Sequence, residues 1–422
     1  MTQRRFEYAP AGTLVGLVQR GRGLGARMAA EAPEAVAELV YGCIRRDWRW
    51  DGQVDDRHLY LARLVRDLEL PVGPVAGLLA AGEDACRRAT RVLELLALDG
   101  SAEAREALRA HVRDGEHWRA VLESVADAWP VGWWDDLAAV ARERLEPGTE
   151  EPWGEPWVRW GLVVARPEPQ RRRPVPCEGE TSARLLELLA DPAESGRWRE
   201  AVRALAGREP EPGLSPLVPS LGPADGEYPL PLLSRAVLEL GVAAVPAARE
   251  WAAADAPWLA GLGHEVLARY GAVQDVPVLV AELERAWVEQ QWCGPDGPAL
   301  GLARFGAEAE GAVSLLRRFW LWTPHSYERA AYLEALAAIG PAGLAETYVE
   351  CLWGCEENER LLAVAHAPDR PEVRERLAYL RDDPMEEPAV RAAAGERLAA
   401  LSPEQGGSLK TGPYRPGMRP LR

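Results

Sequence analysis

Val237-Leu238-Glu239-Leu240-Gly241-Val242-Ala243-Ala244-Val245-Pro246-Ala247-Ala248-Arg249-Glu250-Trp251 contains the unit from which the rest of the chain can be read. Val237 and Leu240 stand three apart, with Leu238 between them, and make one apolar stripe of a helix. Gly241 ends that helix, because the residue after a helix C-terminus often takes a left-handed conformation that glycine reaches without a Cβ clash. A turn follows. Pro246 then falls in the first turn of the next helix, where its missing N–H would have had no partner. The closing triplet returns as Leu205-Ala206-Gly207, Arg269-Tyr270-Gly271, Arg304-Phe305-Gly306 and Ala338-Ile339-Gly340. The five glycines are spaced 34, 30, 35 and 34 residues apart. A period of about 20–50 residues marks a repeat architecture.

Aligned on those glycines, the position four before holds Val237, Leu267, Leu302 and Leu336, and the position one before holds Leu240, Tyr270, Phe305 and Ile339. Three before, Ala268, Ala303 and Ala337 are small enough for a neighbouring helix to approach closely. Val276-Pro277-Val278-Leu279 opens another helix as Val245-Pro246 does. Two helices per period, proline opening the first and glycine closing the second, resembles the HEAT-repeat family over residues 182–401. The resemblance implies an all-α superhelix of stacked helix pairs, which usually serves as a binding surface rather than a catalytic pocket. The chain departs from the pattern in two places. Gln290 to Pro298 inserts a glycine–proline loop, and one second helix ends in His366-Ala367-Pro368 instead of glycine.

Residues 1–148 lack a clean period and read as a divergent HEAT-like or bundle half. Amphipathic segments run over 34–45, 55–70, 84–98, 101–112, 116–128 and 134–145, with Asp55 or Asp56 as an expected N-cap. Residues 149–181, rich in proline and containing Arg171-Arg172-Arg173, read as an extended linker. Residues 402–422 read as a disordered tail.

The net charge is −16, and Lys410 is the single lysine among 49 basic residues. Such a charge repels phosphate backbones and anionic membranes, so no tight binding of nucleic acid is expected. No apolar run is long enough for a membrane span and no apolar stretch follows the N-terminal arginines. The six cysteines are scattered. A reducing cytoplasm without disulfides is the expectation. No cofactor is implied.

Candidate sites are of three kinds. Tryptophans gather at Trp118, Trp129, Trp133, Trp134, Trp153, Trp157 and Trp160, either filling a seam between the halves or forming a docking surface there. Trp48 and Trp50 alternate with charge in a loop. The second helices carry Arg235 with Glu239 and Glu265 with Arg269 as i,i+4 pairs, whose signs alternate between repeats as in a salt-bridge ladder. Weaker patterns are His111 with His117, Cys351 with Cys355, which read as buried structural thiols, and Gly21-Arg22-Gly23-Leu24-Gly25, which lacks the spacing of a phosphate loop.

No nucleophile–base motif is present. The expected function is therefore a non-catalytic scaffold or adaptor that binds another protein or peptide through Trp133, Trp134, Trp153 and Trp157 at the junction of the halves together with the charged second-helix face carrying Arg235, Glu265 and Arg269. The alternative is a HEAT-like nucleic-acid-binding protein or a DNA glycosylase for alkylated bases, which tryptophan wealth permits and the negative charge opposes.

Overall fold

The protein is described from a computed structural model, for residues 7–145, 154–162, 177, 179–222 and 229–401. It is all-α: helices and short 3-10 turns account for every regular element among the described residues. None of these helices is long and apolar enough to cross a membrane. The expected disordered tail and most of the expected linker, including Arg171-Arg172-Arg173, lie outside the described residues.

Five helix pairs follow one another over residues 245–401. They are Val245–Trp251 with Pro257–Tyr270, Val276–Glu289 with Asp296–Ala303, Val313–Trp322 with Arg329–Ile339, Ala345–Cys351 with Glu357–His366, and Pro371–Asp382 with Pro388–Leu401. The second helices of successive pairs pack on one another and form a continuous column. Before them, Ser182–Ala190 packs on Trp198–Leu205. Prolines open two of the first helices as expected, at Pro246 and Pro277. Val237, Leu267, Leu302 and Leu336 are all buried in one core that runs from Leu185 to Ala394. Close approach is real at these joints. A Cβ on Gly301 would lie 2.6 Å from Ala268 Cα, and one on Gly263 would lie 2.5 Å from Ala252 N.

The glycines themselves do not share one role. Gly241 and Gly306 have positive φ, +58° and +52°, and end their helices as expected. Gly271 is extended instead, and Gly340, with φ −154° and ψ 79°, is not left-handed either. Gly271 is needed for space: a Cβ there would strike Leu267 O and stand 3.0 Å from Asp275 Oδ2.

The N-terminal half has its own core, from Val18 to Ala141, which also takes in Trp157, Cys355 and Met385. Its helices are Leu14–Gln19, Gly23–Ala29, Pro33–Arg45, His58–Asp67, Gly73–Gly77, Glu83–Leu98, Ala102–Asp114, Trp118–Ala128 and Ala138–Arg144. Ser101 caps its helix by accepting from Ala104 N at 3.2 Å. Asp55 does not cap the helix after it. Arg57 occupies the N-cap position, and the Asp55 carboxylate is used elsewhere.

Candidate functional site

The two halves meet through residues near opposite ends of the chain, and glycine makes that possible. A Cβ on Gly21 would lie 2.5 Å from Cys355 Sγ, and one on Gly23 would overlap the Glu350 carbonyl. Gly21 also needs its positive φ, +63°. The Gly21–Gly25 string is thus a contact surface for the turn at 350–355, and Cys355 N donates to Gly21 O at 3.1 Å.

Around this backbone contact lies a buried layer of paired charges. Arg22 grips Glu350 with two bonds, 2.6 and 2.9 Å. Arg63 reaches Asp383 at 2.7 Å and Glu386 at 2.9 Å, and Glu386 also holds Arg360 at 2.8 Å. Arg57 donates to Ser326 Oγ and to Cys355 Sγ. Arg329 donates to Arg20 O at 2.7 Å and pairs with Glu359 at 3.3 Å. Cys351 and Cys355 are buried thiols, and burial pushes Cys355 up to about 12.

A second polar cluster centres on His325. Asp55 Oδ1 stands 2.7 Å from its Nδ1, and the same oxygen accepts from Ser326 Oγ and Tyr327 N, both at 3.0 Å. Cys293 adjoins the imidazole as well. Thiol, imidazole and carboxylate in a row is an arrangement that can activate a nucleophile. Burial opposes charge on His325, but the bonds to Asp55 and Cys293 outweigh it and raise its pKa to about 10. At neutral pH it therefore holds its proton and is a donor rather than a base. Beside it, burial and the Asp296 carboxylate raise Glu328 to about 7. Gly294 N, 2.6 Å from Glu328 Oε1, and Tyr332 Oη both donate to that carboxyl. The inserted Gln290–Pro298 loop thus anchors on the seam.

The signs give a pH dependence. Asp55 lies below its usual value, so its contribution is lost only in strong acid. Glu328 and His325 are raised, so their contributions are full below their unfolded values, about 4.3 and 6.5. They are lost as pH climbs through about 7 and about 10. The melting temperature is expected to fall by several degrees between about pH 5.5 and 9, and to fall less in Glu328→Gln. A flat profile in the parent protein, or an identical slope in the variant, would contradict this.

The structure divides the sequence-selected residues. Trp134 and Trp157 are 1% and 0% exposed, so neither can touch a partner in the folded state. Trp157 Nε1 donates to Glu123 Oε1 at 2.8 Å, and Trp134 Nε1 to Trp129 O at 3.3 Å. Trp133 is half-buried beside Trp129, and Arg109 donates to its carbonyl. Trp153 lies outside the described residues. These indoles bond within residues 94–160, in the N-terminal core, and the seam forms elsewhere. The junction expected at the tryptophans is corrected for a physical reason. The indoles filled the core nearest in sequence, while the halves were joined by arginine–carboxylate pairs. Trp48 is half-buried under Arg46 at 4.2 Å.

Arg235–Glu239 and Arg269–Glu265 do pair within their helices, at 3.0 and 2.8 Å, on outward faces. They are not the links between repeats. Those are Arg249 to Asp275, at 2.7 and 3.0 Å, and Arg304 to the carbonyls of Ala268 and Gly271. His111 lies 3.9 Å from Cys86 Sγ. Among the described residues no group of three or more His, Cys, Asp or Glu is arranged for a metal ion.

No family model matches the chain, and no curated protein is significantly similar to it.

Proposed function

We propose that the chain is a HEAT-like helical-repeat protein that works as a non-catalytic scaffold, binding another protein or peptide along the repeat turns. The observation that carries this reading is a pair of exposed apolar residues on two successive turns. Val242 follows Gly241 and is 73% exposed, and Val273 follows Gly271 and is 52% exposed. The Tyr270 ring lies 3.9 Å from a Cβ position on Gly241, so the two turns are neighbours. The ion pairs Arg235–Glu239 and Glu265–Arg269 close the helices just before these turns. Apolar centres flanked by charge suit a protein partner, with the arginines as candidate anchors. The seam of buried pairs supports the same reading, because a scaffold needs its halves held in fixed relation.

Photo-crosslinkers placed at Val242 and Val273 are expected to capture one protein from the native host, and a crosslinker at exposed Arg184 is not. Val242→Asp combined with Arg269→Glu should abolish that capture and change stability by no more than about 0.5 kcal/mol, as surface substitutions usually do. Equal capture from Arg184 would sink the proposal. Sub-micromolar gel shift of duplex DNA at physiological salt would favour the glycosylase-type alternative instead.

A further inference from the structure

Seven arginines are buried in the described residues: Arg20, Arg22, Arg57, Arg63, Arg329, Arg360 and Arg376. Five of them reach a carboxylate. Arg20 has none but donates to three carbonyls, those of Ala9, Gly16 and Trp322. Arg376 is different. It is 6% exposed, its Nε donates to Leu352 O at 3.2 Å, and it makes no ion pair among the described residues. Its guanidinium lies 3.9 Å from the Tyr379 ring centroid and 4.7 Å from that of Trp353. The Tyr379 side chain is also a hydrogen-bond partner and Asp67 attracts the charge more weakly, yet part of the guanidinium's N–H donors is left without an acceptor and no carboxylate is in ion-pair contact. A buried charge without a counter-charge is expensive.

Arg376 lines a cavity of about 360 Å³ between the halves. The N-terminal half supplies Arg27, Tyr60, Arg63 and Asp67 to its walls, and the C-terminal half supplies Trp353. Arg27 sits over the Trp353 ring at 5.3 Å. The wall carboxylate, Asp67, is already engaged by Tyr379 Oη at 2.7 Å and Arg66 at 2.8 Å. A wider cleft of about 630 Å³ in the N-terminal half also has arginine walls, but there Arg49, Arg87 and Arg91 are paired with Asp47, Asp84 and Glu94, and Arg88, which has no ion pair, donates to the carbonyls of both Ile44 and Arg45. The cavity at the seam is distinguished by Arg376, whose charge is buried without an ion pair and with a single carbonyl acceptor. Burial, with the nearby Arg63 charge, lowers Arg376 to about 10 against the smaller opposing effects of Tyr379 and Asp67.

We propose that this cavity is a binding site for a small molecule bearing a phosphate or carboxylate group, with Arg376 and Arg27 as the anion clamp and Trp353 as the apolar wall. An oxyanion would accept N–H bonds from the guanidinium donors that Leu352 and Tyr379 leave free, in the planar geometry that arginine offers and lysine does not. The volume lies at the small end of ligand pockets, about 300–1,000 Å³, which suits a single ring or short chain carrying one anionic group. Because walls come from both halves, ligand and seam would support each other.

The test uses the full chain, with phenyl phosphate, benzoate and inorganic phosphate as probes, read by calorimetry and tryptophan fluorescence at low ionic strength. Saturable one-to-one binding of phenyl phosphate or benzoate is expected, with the tighter of the two assigning the anionic group. Inorganic phosphate should bind more weakly. Arg376→Gln should weaken binding about tenfold or more, Arg27→Gln should weaken it less, and Trp353→Phe should remove the fluorescence response. The ligand-free Arg376→Gln protein should melt no lower than the parent, since an uncompensated charge has been removed. No saturable binding of any probe by the parent below about 5 mM would overturn the proposal. So would unchanged binding in both arginine variants. A clearly lower melting point for ligand-free Arg376→Gln, with Arg27→Gln binding as the parent does, would make Arg376 a structural strut instead.

Discussion

Glu386→Ala is expected to lower stability by about 3–5 kcal/mol, the usual effect of removing one partner from a buried ion pair. Glu386 is fully enclosed and accepts from Arg63 at 2.9 Å and from Arg360 at 3.0 and 2.8 Å. Burial alone would raise its carboxyl, yet Arg360 and Arg63 hold it below the ordinary glutamate value. Arg63 keeps Asp383 after the substitution, whereas Arg360 keeps only the carbonyls of Gly354 and Cys355. One guanidinium is then left charged inside the protein. Arg63 belongs to the N-terminal half and Arg360 to the repeats, so the loss should fall on the contact between halves. Denaturant unfolding followed by tryptophan fluorescence should show one transition in the parent and two separated ones in the variant. Glu387→Ala, next door and exposed, is the control. A loss under about 1 kcal/mol for Glu386→Ala would mean that the halves are held by their apolar contact and not by this network.

Trp157→Ala should also lower stability by about 3–5 kcal/mol, the range for emptying a buried aromatic site. The Trp157 ring meets Trp118 edge-on at 6.2 Å and Trp160 at 5.8 Å. Arg119 stands 5.9 Å from its centroid. Its truncation leaves both a cavity and a Glu123 carboxylate without its indole donor. The effect should appear as a lower melting temperature, with crosslinking through Val242 unchanged at temperatures where the protein is folded. Unchanged melting with lost capture would instead return Trp157 to the docking surface.

Helix pairing was readable because its causes are local. The apolar stripe at Val237, Leu267, Leu302 and Leu336 needs only a 3.6-residue period, and Pro246 and Pro277 act on their own turns. Even so, the shared glycine had more than one cause: Gly241 and Gly306 supply a left-handed turn, whereas Gly271 supplies room. The tryptophans show the limit of counting residue types. A cluster close in sequence gives no sign of which way the indoles face, and Trp134 and Trp157 turned inward.

The seam was not legible at all, although its residues were in view. Arg22 and Glu350 are 328 positions apart, and Arg63 and Asp383 are 320 apart. In a chain with 48 arginines, nothing local separates a buried guanidinium from a solvated one. The Gly21–Gly25 string was the one signal available, and its meaning depended on a turn more than 300 residues away. By itself the sequence determined the all-α class, the repeat period and the apolar face of each helix, since these follow from contacts within about one turn of backbone. Tertiary structure alone decided which arginines are buried, which find a carboxylate and which, like Arg376, do not. Charge burial depends on what the folded chain brings alongside, and no periodicity encodes that.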